Sequence, residues 1–213
     1  MQQDNPQMKI TCLDFEGVLI PEIWIGLSEQ TGIEELRLTT RDITDYDELM
    51  RYRLKICDEK NLRIQDIHAV IDKMRPLDGA TDFLNWLRTE CEVIILSDTF
   101  REFVGPLLNK LGQPTIFCHT LKIDHSGRIT DYLLRQQDQK RQAVNALKDL
   151  NFQVFAAGDS YNDISMLQSA HHGIFFRPTQ KITEKFPSFP VTHQYAELKL
   201  ELQKHLNGSQ TLS

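Results

Sequence analysis

The chain has 213 residues, enough for one α/β domain with a sizeable core and an inserted or appended subdomain. Its hydrophobic fraction of 40% and charged fraction of 25% are those of an ordinary water-soluble globular protein. With Lys+Arg 24 against Asp+Glu 30, the formal net charge is -6, and a surface of that sign repels phosphate backbones and anionic lipid, so neither nucleic acid nor membrane is an expected partner.

The first residues, Met1 to Gln7, are polar and carry no basic flank followed by an apolar stretch. No signal peptide is expected, no apolar run approaches the roughly 20 residues that span a bilayer, and the cytoplasm is the expected location. Residues 10–13 form the first short apolar run and read as a buried strand. From Pro21 to about Met74 no buried strand follows; helical spacing appears instead over residues 23–31, 33–38, 46–57 and 64–74. A connection of roughly 50 residues far exceeds an ordinary βα loop. It predicts a small helical cap, residues 21–74, inserted after the first strand of a discontinuous core, residues 8–20 and 75–200. The alternative is that these helices simply cover one face of the sheet.

Strand-like runs then recur at residues 93–96, 154–157 and 173–176, with helical periodicity at 81–88, 101–111 and 141–150 between them. This alternation predicts an α/β fold, a doubly wound, Rossmann-like parallel sheet. Asp124-His-Ser-Gly-Arg128 between two short apolar segments reads as a hairpin turn. The stretch 201–213 is expected to be a frayed tail. The four cysteines, Cys12, Cys57, Cys91 and Cys118, show no C-x-x-C spacing and read as reduced thiols. His119, His125, His171 and His172 lack helical metal spacing, and Trp24 and Trp86 fall on apolar helix faces; all six read as packing or surface residues.

The chemistry concentrates at strand ends. Asp14-Phe-Glu16-Gly17 follows the first strand, where open α/β sheets bind ligands, and residues two apart on extended backbone point the same way. Read alone, the pair can also be a turn with solvated acids. Ser97-Asp98-Thr99 ends the second strand, with a hydroxyl able to donate to a phosphate oxygen or to cap the helix at Arg101. Lys140 opens the helix before the third run. That run ends in Gly158-Asp159-Ser160-Tyr161-Asn162-Asp163. Bringing Asp14, Glu16, Asp159 and Asp163 together makes a pocket whose carboxylates repel one another by on the order of several kcal/mol. A hard divalent cation relieves that repulsion, and an all-oxygen donor set selects magnesium over zinc.

The order of these pieces, carboxylate pair, hydroxyl, lysine, then Gly-Asp-x-x-x-Asp, resembles the four motifs of the haloacid dehalogenase superfamily. Within it, the text Asp14-Phe-Glu-Gly-Val-Leu19, Ile95-Leu-Ser-Asp98 and Gly158-Asp-Ser-Tyr-Asn-Asp-Ile-Ser-Met166 is similar to the phosphoserine phosphatase branch. Glu16-Gly17-Val18, Val18-Leu-Ile-Pro-Glu-Ile-Trp24, Leu96-Ser-Asp-Thr-Phe100 and Gln139-Lys-Arg-Gln142 resemble its phosphoserine phosphatase/homoserine phosphotransferase subgroup. The resemblance implies an enzyme that works through an aspartyl-phosphate on Asp14, with Glu16 as general acid and base. Mg2+ would be held by Asp14, the Glu16 backbone carbonyl and Asp159, with Asp163 outside them or weaker. Ser97, Asp98, Lys140 and Asn162 would bind phosphate or substrate. Glu22 and Arg53 would meet the ammonium and carboxylate of an amino-acid substrate, with Arg51 an equally reachable alternative to Arg53. Phosphoserine, homoserine and water are the small-molecule partners implied, and the resemblance is compatible with a homodimer. Two departures stand out: Glu16 replaces the superfamily's usual Asp, one methylene longer, and Asp98 stands where many phosphoserine phosphatases have Gly. A phosphatase of another small phosphomonoester, such as a nucleotide or a methionine-salvage intermediate, and a non-catalytic phospho-ligand sensor remain as alternatives.

Overall fold

The computed structural model describes residues 7–40, 42–43 and 45–206. β-Branched and apolar residues dominate the segments that form its seven-stranded sheet: β1 (Lys9–Leu13), β2 (Glu92–Phe100), β3 (Ile116–Ile123), β4 (Ile129–Leu133), β5 (Gln153–Gly158), β6 (His172–Phe176) and β7 (Val191–Thr192). The order is β4-β3-β2-β1-β5-β6-β7, parallel throughout except for the antiparallel pair β3–β4 at one edge. This is the expected doubly wound sheet with an antiparallel edge added. The chain leaves β1 towards β2 on one side and returns to β5 on the other, so the crevice beyond the carboxyl ends of β1 and β5 is the topological switch point.

The helices are α1 (Ile23–Thr31), α2 (Tyr46–Glu59), α3 (Ile64–Ile71), α4 (Ala80–Glu90), α5 (Arg101–Lys110), α6 (Gln139–Asp149), α7 (Ile164–Ser169), α8 (Gln180–Lys185) and α9 (Tyr195–Leu206). Alternation along β1 divides the core. Cys12 joins Ile94, Leu96, Val144, Ala156 and Met166 on one face, whereas Leu13 joins Ile95, Phe103 and Phe155 on the other. The second cluster continues without a break into Ile23, Leu27, Met50 and Ile67 of α1 to α3. Helices of the long insertion therefore share their core with that face of the sheet. They are also tied to the β3–β4 hairpin: Arg128 forms a two-pronged ion pair with Asp58 at 2.6 and 2.8 Å, and the Ile64 N–H donates to the Gly127 carbonyl at 2.9 Å.

Several expectations change in detail. Residues 33–38 form only a 3-10 turn, Glu34–Arg37, and α3 stops at Ile71 rather than Met74. β2 continues through Ser97, Asp98 and Thr99 to Phe100, with an irregularity in its pairing to β3 after Leu96. The tail expectation is corrected over residues 201–206, which belong to α9: Leu198, Leu202 and Leu206 recur every four residues and are buried. The rest of that stretch, 207–213, lies outside the described residues. All four cysteines are unpaired. Among the described residues, no helix is long and apolar enough to cross a membrane.

Candidate active site

Strand register brings the chemistry to one level. Leu13 pairs with Ala157 of β5 and with Ile95 of β2, so Asp14, Asp159 and Ser97 all lie within two residues of that row. The Asp14 N–H extends the ladder by donating to the Ala157 carbonyl at 2.9 Å. Beyond Asp14 the chain folds back on itself: the Leu19 and Ile20 N–H groups donate to the Phe15 carbonyl, and the Gly17 N–H to the Ile20 carbonyl. Gly17 has φ +78, and a Cβ there would lie 2.7 Å from the Asp159 carboxyl carbon. Glycine thus permits both the turn and the close seating of Asp159 against it.

Lys140, in the first turn of α6, is almost wholly buried. Its ammonium donates to Asp14 Oδ1 at 2.8 Å and to Asp163 Oδ1 at 2.7 Å. The other Asp163 oxygen accepts from the Asp159 and Ser160 N–H groups, each at 3.0 Å. Asp163 therefore braces the loop after β5 as well as Lys140. At Gly158 a Cβ would fall 2.4 Å from the Asp163 carboxyl carbon, which explains the glycine. Burial, reinforced by Asp163 and Asp159 and opposed by Lys140, pushes the Asp14 carboxyl well above the usual carboxylate range. Burial disfavours the Lys140 ammonium, but Asp14, Asp163 and Asp98 outweigh it and hold the group charged above its ordinary range.

Carboxylate oxygens of Asp14, Asp159 and Asp163 lie within 4.8 Å of one another. Three buried acids against one lysine leave negative charge to be neutralised, and the donors are all oxygen; the site fits a small hard divalent cation. Lys140 and backbone N–H groups engage both Asp163 oxygens, whereas at Asp14 the Lys140 and Phe15 donors share Oδ1.

Ser97 is buried beside Asp14 in the cavity wall, and its Oγ accepts from the Thr99 N–H at 3.2 Å. It does not cap the next helix, whose N-cap is Phe100 without a side-chain bond. Asp98 gathers donors from three elements: Asn162 at 2.9 Å, Gln139 at 3.1 Å and His119 at 3.5 Å, with Lys140 at 3.9 Å. Burial works against its ionised form, yet Lys140 and these hydrogen bonds hold the Asp98 carboxyl below the usual range.

Over this floor the cavity is lined by Glu16, Glu22, Trp24, Tyr46 and Arg53. Glu16 Oε2 accepts from the Ile23 N–H at the start of α1, 2.9 Å away, and Thr99 donates to the same carboxyl. Burial first, then Glu22, nevertheless raise the Glu16 pKa to about 8 against those bonds and Arg53. Arg53 is 6% exposed, donates to the Leu38 carbonyl at 2.8 Å and lies 4.8 Å from the Trp24 ring centroid. Among the described residues its Nε is buried without a hydrogen-bond partner, and burial brings its pKa down to about 10. Arg51 faces outward in an exposed ion pair with Asp47 at 2.8 Å. Of the two arginines that sequence left open, Arg53 is the one in the cavity. Sequence reasoning missed Tyr46, Thr99 and His119 as parts of this site and read Trp24 as packing alone. Trp24 does pack on Phe103, but its ring also carries Arg53.

An open, doubly wound sheet whose strand ends present clustered carboxylates around a buried lysine defines an α/β enzyme acting on anionic ligands at its carboxyl edge. The chain belongs to the haloacid dehalogenase-like hydrolase family, whose model matches residues 8–171. It is 53% identical over 205 residues to the phosphoserine phosphatase ThrH of Pseudomonas aeruginosa, covering 96% of this chain and 100% of that one. It is also 53% identical over 200 residues to a phosphoserine phosphatase of Pseudomonas syringae pv. tomato, covering 94% and 84%. A solved phosphoserine phosphatase in a phospho-aspartyl intermediate analogue form has the same fold, with a TM-score of 0.74, 21% identity and coverage of 92% of this chain and 99% of that one.

Proposed function

We propose that this chain is a phosphoserine phosphatase that works through an aspartyl-phosphate on Asp14, with homoserine able to replace water as acceptor. The observation that carries the reading is the Lys140 ammonium wedged between Asp14 and Asp163, at 2.8 and 2.7 Å, beneath a cavity whose far wall holds Arg53 and Glu22. The same substrate name attaches to both 53% identical relatives, and the phospho-aspartyl form attaches to the solved neighbour.

In this reading an Asp14 oxygen attacks phosphorus, a new P–O bond forms, and the seryl O–P bond breaks. Glu16, neutral at pH 7 with its pKa near 8, gives its proton to the leaving seryl oxygen. In the second half Glu16 takes the proton from water or from the homoserine hydroxyl as that oxygen bonds phosphorus and the Asp14–P bond breaks. Lys140 and Ser97 hold the phosphoryl oxygens, and Asn162 orients the substrate. The unpartnered Arg53 Nε faces a demand for an anion, which the serine carboxylate meets, while Glu22 takes its ammonium. Mg2+ would be held by Asp14, Asp159 and the Glu16 carbonyl, with Asp163 outside them, and would supply positive charge to the phosphoryl group.

Residues 21–74 act in this scheme as the cap over a core of residues 8–20 and 75–200, and the enzyme works in the cytoplasm. The test is acid quenching of the magnesium-loaded enzyme with labelled phosphoserine, followed by phosphate release with and without homoserine. Label retained on Asp14 supports the reading; phosphate release from other phosphomonoesters but not from phosphoserine refutes it.

A further inference from the structure

Beside the catalytic cavity runs a second, open groove of about 770 Å3. Thr40, Tyr46, Asp98 and Asn162 line both spaces, so these four residues form the partition between them. Lys140 lines the groove, and its ammonium is 2.8 Å from Asp14; water in the groove thus stands one side chain away from the nucleophile. Within the partition Asn162 Nδ2 donates to Asp98 Oδ2 at 2.9 Å, a contact between two side chains, and Asn162 is exposed at its outer edge.

Asp98 is built to make that contact. His119 Nδ1 accepts the Arg135 N–H at 3.1 Å, which leaves the protonated Nε2 to face Asp98 Oδ1. Gln139 reaches the same oxygen while also donating to the Ser97 carbonyl at 2.5 Å. The Tyr46 hydroxyl, from the first residue of α2, donates to the Asp98 backbone carbonyl at 2.7 Å, and the Tyr46 ring meets His119 edge-on at 5.9 Å. Donors from β3, α6, the loop after β5 and α2 converge on one residue. A carboxylate so surrounded repels a phosphoryl group, so a phosphate-binding role for Asp98 is the poorer account of it.

We propose that Asp98 is a positioning residue whose contact with Asn162, buttressed by His119 and Gln139, walls the aspartyl-phosphate off from the water of the groove and so favours transfer to an alcohol over hydrolysis. The assignment rests on the aspartyl-phosphate reading above. A glycine at position 98 has no side chain with which to make this wall.

The experiment compares wild type with Asp98→Ala, Asp98→Asn and Asn162→Ala, all magnesium-loaded and checked for folding by thermal melting. Labelled phosphoserine loads the phospho-enzyme, and two quantities are read: its rate of hydrolysis without acceptor, and the ratio of hydrolysis to phosphohomoserine formation at fixed homoserine. Expected for Asp98→Ala is phospho-enzyme that still forms, but hydrolyses at least about tenfold faster with a matching rise in the ratio. Asp98→Asn retains an acceptor for Asn162 and returns to within about threefold of wild type. Asn162→Ala breaks the same contact from the other side and gives the faster hydrolysis even if Asp98→Ala does not fold. Unchanged phospho-enzyme hydrolysis in both alanine variants overturns the proposal. Wild type that forms no phospho-enzyme sinks the underlying reading instead, and wild type that forms it but transfers nothing to homoserine overturns the claim that the wall favours transfer.

Discussion

The Lys140 ammonium and the Asp14 carboxylate, 126 positions apart in sequence, meet at 2.8 Å in the interior of the protein. Lys140 is 2% exposed, so neither charge is screened by bulk water and each depends on the other.

Asp14→Asn keeps the shape and a hydrogen-bond acceptor for Lys140 but removes the attacking oxygen. The variant is expected to fold with a melting temperature within a few degrees of wild type, to form no phospho-enzyme, and to lose at least about 10⁴-fold in turnover. Rapid quench and phosphate release check it; turnover within tenfold of wild type places the nucleophile elsewhere.

Lys140→Met leaves Asp14 and Asp163 facing one another without their shared cation. Removing one partner of a buried ion pair typically costs about 3–5 kcal/mol, and the magnesium-free protein should lose stability on that scale in urea. Added magnesium should restore part of the loss by supplying positive charge to the same carboxylates. A denaturation midpoint equal to that of wild type is incompatible with the geometry described.

Glu16 titrates near 8 in the folded protein, far above its ordinary 4.5. Its neutral, proton-donating form is therefore present below that value and disappears as pH rises through it. Phospho-enzyme formation should fall about tenfold per pH unit above 8, and Glu16→Gln should be slower by about 10²–10⁴-fold with no alkaline limb. Stability follows from the same shift: between 4.5 and about 8 the buried Glu16 keeps a proton that the unfolded chain has released, so wild type loses more stability than the variant on passing from pH 5 to 8, with no further loss from this group above that. Melting curves at the two pH values measure this.

Arg53→Ala should raise KM for phosphoserine by about 100-fold while leaving turnover of a phosphomonoester without a carboxylate within threefold. Arg51→Ala, which removes an exposed ion pair with Asp47, should leave both unchanged and the melting temperature close to that of wild type. Steady-state kinetics on the two substrates separate the arginines.

Chelation tests the acidic cluster. Magnesium titrated into chelator-treated protein should raise the melting temperature and restore phosphate release together, and Asp159→Asn should shift both titrations to higher magnesium in parallel. Full activity in excess EDTA would contradict the donor set.

Sequence alone reached the strand ends well. Short apolar runs bounded by turn residues located β1, β2, β5 and β6, and Asp14, Ser97 and Asp159 were legible because they stand at or just past the rows those runs pair. β7 has two residues and α8 six, too few for a period to register. α9 was obscured by its many charged residues, although Leu198, Leu202 and Leu206 carry the spacing. The cavity roof was harder. Trp24 packs and lines at once, and an apolar helix face looks the same in either role. Arg51 and Arg53 differ by about 200° around α2, a distinction that needs the helix phase. His119 and Asp98 meet only because β2 runs four residues past its apolar stretch and pairs with β3 there, which no local pattern announces.

The apolar cluster that passes unbroken from Phe155 and Phe103 into Ile23, Met50 and Ile67 bears on how this protein can be re-engineered. Helices α1 to α3 share one apolar core with the sheet. A graft from a relative must bring side chains that fit Phe100, Phe103 and the Gly127 turn as well as the substrate, or the sheet face beneath it is left uncovered, so new specificity is more readily installed by changing cavity-lining residues in place.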